Sequence, residues 1–340
     1  MTIGVAGLSA WLVVALCSTL IGTRAFCTQA IKRGLVANPN YRSLHQKPTA
    51  SGGGVVFSLV FVLVAAGLYA MSVIDAGLAS MIVIGGLVAL VFGFADDVFH
   101  LGQFEKLLMQ GALAAWVLHQ CGAHPLFVLW WVPLWIDLFL SWLVLVWLMN
   151  LYNFVDGIDG LAGSGAVYIC AMAIVALALG TTDRSLVGVF ALLAVCACGF
   201  LVFNWPPATV FMGDAGSLFL GYVFGALMAR TITTHEVGAW TWLVVLGYMA
   251  GDTSTTTVLR MMTFKQFYRP HRSHAYQNLA RIWGSHMKVV RGILLYQLLW
   301  LGPLAVWSIL QPATAWLAAM LGLIPAVLWT LRFGPRLSSD

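Results

Sequence analysis

Long charge-free runs dominate this chain and leave little choice of fold. They cover residues 1–23, 48–74, 76–95, 107–136, 138–155, 160–182, 185–213 and 292–331. A helix crosses the hydrocarbon core with about 20 apolar residues, and only helices or closed barrels satisfy their own backbone there. The runs lack the period-two alternation of barrel strands. The expected fold is therefore all-α: a polytopic integral membrane protein with about eleven transmembrane helices, the last run passing twice around Gln311-Pro312. No soluble domain of any size fits between the runs, so residues 1–340 read as a single transmembrane domain.

Lysine and arginine set the orientation. An outer N-terminus leaves segments 24–47, 96–106, 154–159, 204–214, 260–291 and 332–340 inside. These hold fifteen of the seventeen basic residues, all but Arg184 and Arg230. That is the positive-inside bias. Together with anionic headgroups it accounts for the net charge of +5, so nucleic acid is not an expected partner. The first run has no basic residue before it and Arg24 behind it, which reads as an uncleaved first span rather than a signal peptide. Six cysteines lie scattered through the expected spans, and the Cys196–Cys198 pair has no Cys or His neighbours. They read as packing residues, not zinc ligands.

Five aspartates interrupt this apolar background at its inner edges: Asp96, Asp97, Asp156, Asp159 and Asp214. A carboxylate beside a bilayer costs a few kcal/mol unless it is paired, metal-bound or facing water. Asp96 and Asp97 are adjacent, so on a helix they diverge by about 100° and suit two roles rather than one shared proton. Asn153, Asp156 and Asp159 fall three apart, which predicts one polar helix face. Asp214 follows the proline-broken NWPPATVFMG and opens a helix, where a carboxylate also serves as a simple cap. Hard oxygen ligands at three helix ends suit Mg²⁺, which binds phosphates through one or two carboxylates. The inner segment RPHRSHAYQNLAR adds Arg269, His271, Arg272 and His274, with planar guanidinium forks for phosphate oxygens. Acids, a cation and a basic loop on one membrane face describe phosphoryl transfer from a diphosphate to a lipid. An ion-coupled transporter is the competing class; it places its acids at broken helices inside the bilayer.

The segments FADDVFHLGQFEKLLMQ, NLYNFVDGIDGLAG, NWPPATVFMGDAGS and PHRSHAYQ resemble, in order, the motifs of the polyprenyl-phosphate N-acetylhexosamine-1-phosphate transferases. PNYRSLHQKPTASGGG resembles that family's first inner loop, with Ala50-Ser51 where Pro-Arg is usual. The HRSHAYQ form is most similar to the bacterial O-antigen-initiating branch, which includes N-acetylfucosaminyl-1-phosphate transferases. The histidine-triplet loop of the muramoyl-pentapeptide transferases is missing.

The resemblance implies that undecaprenyl phosphate attacks a UDP-N-acetylhexosamine, releasing UMP and starting O-antigen, lipopolysaccharide or related envelope polysaccharide at the bacterial inner membrane. It implies Mg²⁺, with Mn²⁺ as a substitute, and is compatible with a homodimer. By the same resemblance Asp214 is the principal metal ligand with Asp97 beside it. Asp96 and Asp97 lie near the lipid phosphate, with Asp96 the candidate base. Asn153, Asp156 and Asp159 form the nucleotide side, Lys106, His271, Arg272 and His274 contact the diphosphate, and Asn204 lies near the nucleotide.

Overall fold

The computed structural model describes residues 5–37, 48–127, 131–180, 184–263 and 272–335. Its helices follow the apolar runs. In chain order they are α1 (Val5–Arg33), α2 (Gly54–Ala70), α3 (Ala76–Phe99), α4 (Gln103–Gln120), α5 (Leu134–Val155), α6 (Leu161–Gly180) and α7 (Arg184–Asn204). There follow α8 (Asp214–Thr233), α9 (Ala239–Val245), α10 (Gly247–Thr263), α11 (Ala275–Trp283), α12 (His286–Leu310) and α13 (Ala315–Phe333). The fold is an all-α polytopic membrane protein. Among the described residues, eight helices are long and apolar enough to cross a bilayer, and α2 is a shorter apolar helix. The expected turn at Gln311-Pro312 separates α12 from α13.

Helix α8 is the axis of the bundle, with 89% of its most apolar window enclosed. It packs against α2, α3, α4, α5 and α9. Small residues make this possible. Gly54 of α2 and Gly216 of α8 meet backbone to backbone, and a Cβ on Gly216 would lie 2.8 Å from the Gly54 Cα. Close approach through small residues is how membrane helices gain packing when no hydrophobic effect separates them from lipid. Phe57 and Phe61 of α2 stack edge-on against Phe219 of α8, filling the layer below the glycine contact.

The chain entering α8 is fixed by a strand-like pairing. Val36–Ala37 pairs with Thr49–Ala50 in an antiparallel ribbon, and Ala50 bridges in parallel to Val210. The Gly53 and Gly54 amides then donate to the carbonyls of Phe211 and Met212, both at 2.9 Å. The glycine-rich loop before α2 therefore runs alongside the segment that delivers Asp214.

Candidate active site

Four helix ends converge at one end of the bundle: the C-termini of α3 and α5 and the N-termini of α4 and α8. Each brings polar groups that the bilayer interior would not tolerate alone. Asn153, in the last turn of α5, donates from Nδ2 to Asp214 Oδ1 at 2.6 Å and to Ser217 Oγ at 3.3 Å. Lys106, in the first turn of α4, reaches Asp214 Oδ2 at 3.1 Å and forms an ion pair with Asp96. Asp214 thus sits half-buried between an amide and an ammonium.

The two adjacent aspartates of α3 diverge as their helical spacing requires. Asp96 is 5% exposed; its other oxygen accepts the Leu101 N–H at 2.9 Å, where His100 ends the helix in the left-handed region at φ 52°. Asp97 points to α8 instead. Its two oxygens accept the backbone N–H groups of Asp214 at 2.8 Å and Ala215 at 3.0 Å. A carboxylate from another helix therefore caps α8 and meets the positive end of its dipole. Gly213 allows this contact. Its φ is +72°, and a Cβ there would lie 2.7 Å from Asp97 Oδ2.

The segment carrying Asp156 and Asp159 corrects the expectation of one continuous helical face. Helix α5 ends at Val155, and Gly160 turns the chain at φ +76° before α6 begins. Only Asn153 is helical; the two aspartates lie on the connecting turn. Asp156 faces the acidic cluster. Burial, then the charges of Asp214 and Asp97, push its carboxyl well above the usual range, offset in part by the Gly213 backbone. Asp159 is turned to a different task. It accepts the Ala208 N–H at 3.1 Å and approaches His286 Nδ1 at 3.2 Å.

Asn204 is buried, and its amide links two parts of the fold. It accepts from the Gly160 N–H at 3.0 Å and donates to the Val210 carbonyl at 2.8 Å. His274 is 1% exposed and opens α11, while Arg272 is exposed just before it. His271 lies outside the described residues. The cluster also recruits residues that the motifs did not single out. Gln110 and Asn150 form a reciprocal amide pair, one turn beyond Lys106 on α4 and near Asn153 on α5, with Asn150 Nδ2 donating to Gln110 Oε1 at 2.7 Å. Of these neutral residues, forty positions apart, Gln110 closes the motif segment FADDVFHLGQFEKLLMQ and Asn150 opens NLYNFVDGIDGLAG, but nothing in their spacing pairs them. His286 carries no sequence signal.

Chemically, the site holds carboxylates, the Lys106 ammonium and the Asn153 amide around the start of an enclosed helix. Such a set can neutralise and orient phosphate groups. The chain is similar to known proteins over the interval that builds this site. The profile of glycosyl transferase family 4 matches residues 78–232, the interval from α3 to α8 that holds Asp96, Asp97, Lys106, Asn153, Asp156 and Asp214. A probable undecaprenyl-phosphate N-acetylglucosaminyl 1-phosphate transferase of Bacillus subtilis is 29% identical, over 90% of this chain and 86% of the relative. A decaprenyl-phosphate N-acetylglucosaminephosphotransferase of Mycolicibacterium smegmatis is 30% identical, over 81% of this chain and 75% of its own length. A phospho-N-acetylmuramoyl-pentapeptide-transferase of Streptococcus sanguinis is 32% identical, over 73% of this chain and 79% of the relative.

Proposed function

The chain belongs to glycosyl transferase family 4, among the polyprenyl-phosphate hexosamine-1-phosphate transferases, and from that premise we propose a specific reaction. A UDP-N-acetylhexosamine donates its sugar-1-phosphate to undecaprenyl phosphate, releasing UMP and leaving an undecaprenyl-diphosphate sugar. The single observation carrying this reading is Asp214, held at 2.6 Å by Asn153 and 3.1 Å by Lys106 at the mouth of α8.

On this reading we assign three roles. Lys106 lies between Asp96 and Asp214 and offers a point charge to a phosphate that enters between them. Asp96, on the α3 end beside apolar spans, acts on the acceptor; the lipid phosphate is largely ionised near neutral pH, so the carboxylate need only hold or accept its remaining proton. Asn153 and Asp156 are assigned to the donor, with Arg272 as a fork for diphosphate oxygens.

Mg²⁺ fits the donor set. Asp214 would hold it, flanked by Asp97 and Asp156, and the crowding that pushes the Asp156 carboxyl upward is what a cation would relieve. Among the described residues no group of three or more His, Cys, Asp or Glu is placed to hold a metal ion by itself. An ion that keeps waters and takes substrate oxygens does not need one. When bound, it supplies charge neutralisation for the diphosphate.

The relatives' names support an N-acetylhexosamine donor, and N-acetylglucosamine is the first to test, with N-acetylfucosamine and N-acetylquinovosamine beside it. We assign the product to the start of envelope polysaccharide synthesis, O-antigen included, at the bacterial inner membrane. Purified protein given undecaprenyl phosphate and each UDP-sugar in turn, with UDP-N-acetylmuramoyl-pentapeptide as a further arm, should release UMP from one UDP-N-acetylhexosamine. Release from none of them would overturn the reading.

A further inference from the structure

Helix α10 carries one carboxylate that the proposed reaction does not use. Asp252 is 1% exposed and is the only charged residue between Glu236 and Arg260. An isolated buried carboxylate is costly unless it is hydrogen-bonded and matched to a partner. Here it accepts the Ala275 N–H at 3.1 Å and the Thr330 hydroxyl at 2.9 Å through Oδ1, while Oδ2 stands 3.5 Å from His274 Nδ1. Three helices meet on this one side chain: α10, the start of α11, and α13. The crossing is tight because Gly251 abuts Ala326, where a Cβ would sit 2.6 Å from the alanine side chain.

The contacts continue to the active site. The His274 ring lies between Phe154 and Tyr276, with centroids at 5.5 Å and 5.7 Å. The Tyr276 hydroxyl donates to the Phe154 carbonyl. Gly157 abuts the side chains of Tyr276 and Gln277. Phe154 follows Asn153, and Gly157 follows Asp156. Helix α11 therefore braces the end of α5 and the turn after it, which carry Asn153 and Asp156, and Asp252 fixes where α11 begins. Arg260, two turns along α10, reinforces the same segment from the other side, donating to Ser273 Oγ at 3.4 Å.

We propose that Asp252 is a positioning residue for donor binding, acting through His274 and Tyr276 on the end of α5 and the turn after it, which carry Asn153 and Asp156. The inference rests on the transferase reading above. It assigns His274 the work of a brace, held in the interior, where the family resemblance implied a diphosphate contact.

The test uses the full chain, purified, with UDP-N-acetylglucosamine (or whichever UDP-sugar supports turnover) and undecaprenyl phosphate each varied to saturation. Asp252→Asn keeps an acceptor for Ala275 and Thr330 but removes the charge beside His274. It should raise the donor KM about tenfold, the scale of one buried charge-assisted contact. The acceptor KM and kcat should stay within about threefold, since Asp96 and Lys106 lie outside this brace. His274→Gln should raise the donor KM similarly, and the double variant should be no worse than the poorer single, because both act through one contact. An unchanged donor KM in Asp252→Asn, or multiplying effects in the double variant, would overturn the proposal. Should Asp252→Asn fail to purify as a monodisperse protein, Thr330→Val removes only the hydroxyl that orients Asp252. It should raise the donor KM about threefold on the same scale, and an unmoved value would be equally fatal. A wild-type protein that releases no UMP from any UDP-sugar would overturn the transferase reading itself, and this inference with it.

Discussion

Asp97 and Asp214 are joined side chain to backbone: the Asp97 carboxylate accepts the Asp214 N–H at 2.8 Å, while the Asp214 carboxylate turns away to Asn153 and Lys106. One acid sets the position of the helix, and the other uses that position. Removing either should therefore fail differently.

Asp97→Ala should destabilise the protein. Loss of a cap at the start of a helix costs about 1–2 kcal/mol, so thermal unfolding in detergent should shift downward even in EDTA. If Asp97 served only to hold metal, its removal in EDTA would relieve repulsion from Asp214 and raise stability instead. The unfolding midpoint in chelator separates the two.

Asp214→Asn should keep the fold and lose turnover. The amide still offers an oxygen to Asn153, but it no longer carries the charge that pairs with Lys106. UMP release should fall by a factor of about 100 or more, the scale of losing one well-placed electrostatic group, with size-exclusion behaviour unchanged. Activity within a few-fold of wild type would remove Asp214 from the centre of the site.

Lys106→Met should leave the buried Asp96 carboxylate without its cation, which is more costly than removing both charges together. Adding Asp96→Asn to that variant should recover stability without recovering activity. Additive losses in unfolding free energy would show that the pair is not coupled.

Chelation should stop turnover, Mg²⁺ should restore it, and Mn²⁺ should restore part of it. Undiminished UMP release after exhaustive EDTA treatment would exclude the metal role given to Asp214.

Arg272→Ala should raise the donor KM, and Arg272→Lys should rescue only part of it, because lysine cannot bind paired phosphate oxygens in a fork. Full rescue by lysine would mean that only charge matters there.

Much of this architecture is legible in the sequence. The spans were visible because apolar runs of membrane length have few alternatives, and the divergence of Asp96 from Asp97 follows from helical geometry alone. The Asp156–Asp159 stripe was not. Three-residue spacing suggested a helix, yet D-G-I-D-G is also turn composition, and Gly160 at positive φ decides it. Asp252 was findable by the same argument that exposed the other acids, a lone carboxylate in a charge-free stretch, but it sits mid-run rather than at an edge. The use of Asn204 as a strut between Gly160 and Val210 depends on tertiary approach, which spacing does not encode.

The enclosure of α8 separates the helix that carries the reacting end from the surrounding lipid. A change in bilayer thickness is met first by helices that face lipid, through tilt and small displacements. The helix that begins with Asp214 meets almost none of it. Its neighbours are protein on every side, down to the glycine contact with α2. The enzyme takes a lipid as substrate while keeping its most exacting geometry out of reach of the lipids around it, so membranes of different composition should alter how readily substrate arrives far more than how the bound reactants are aligned.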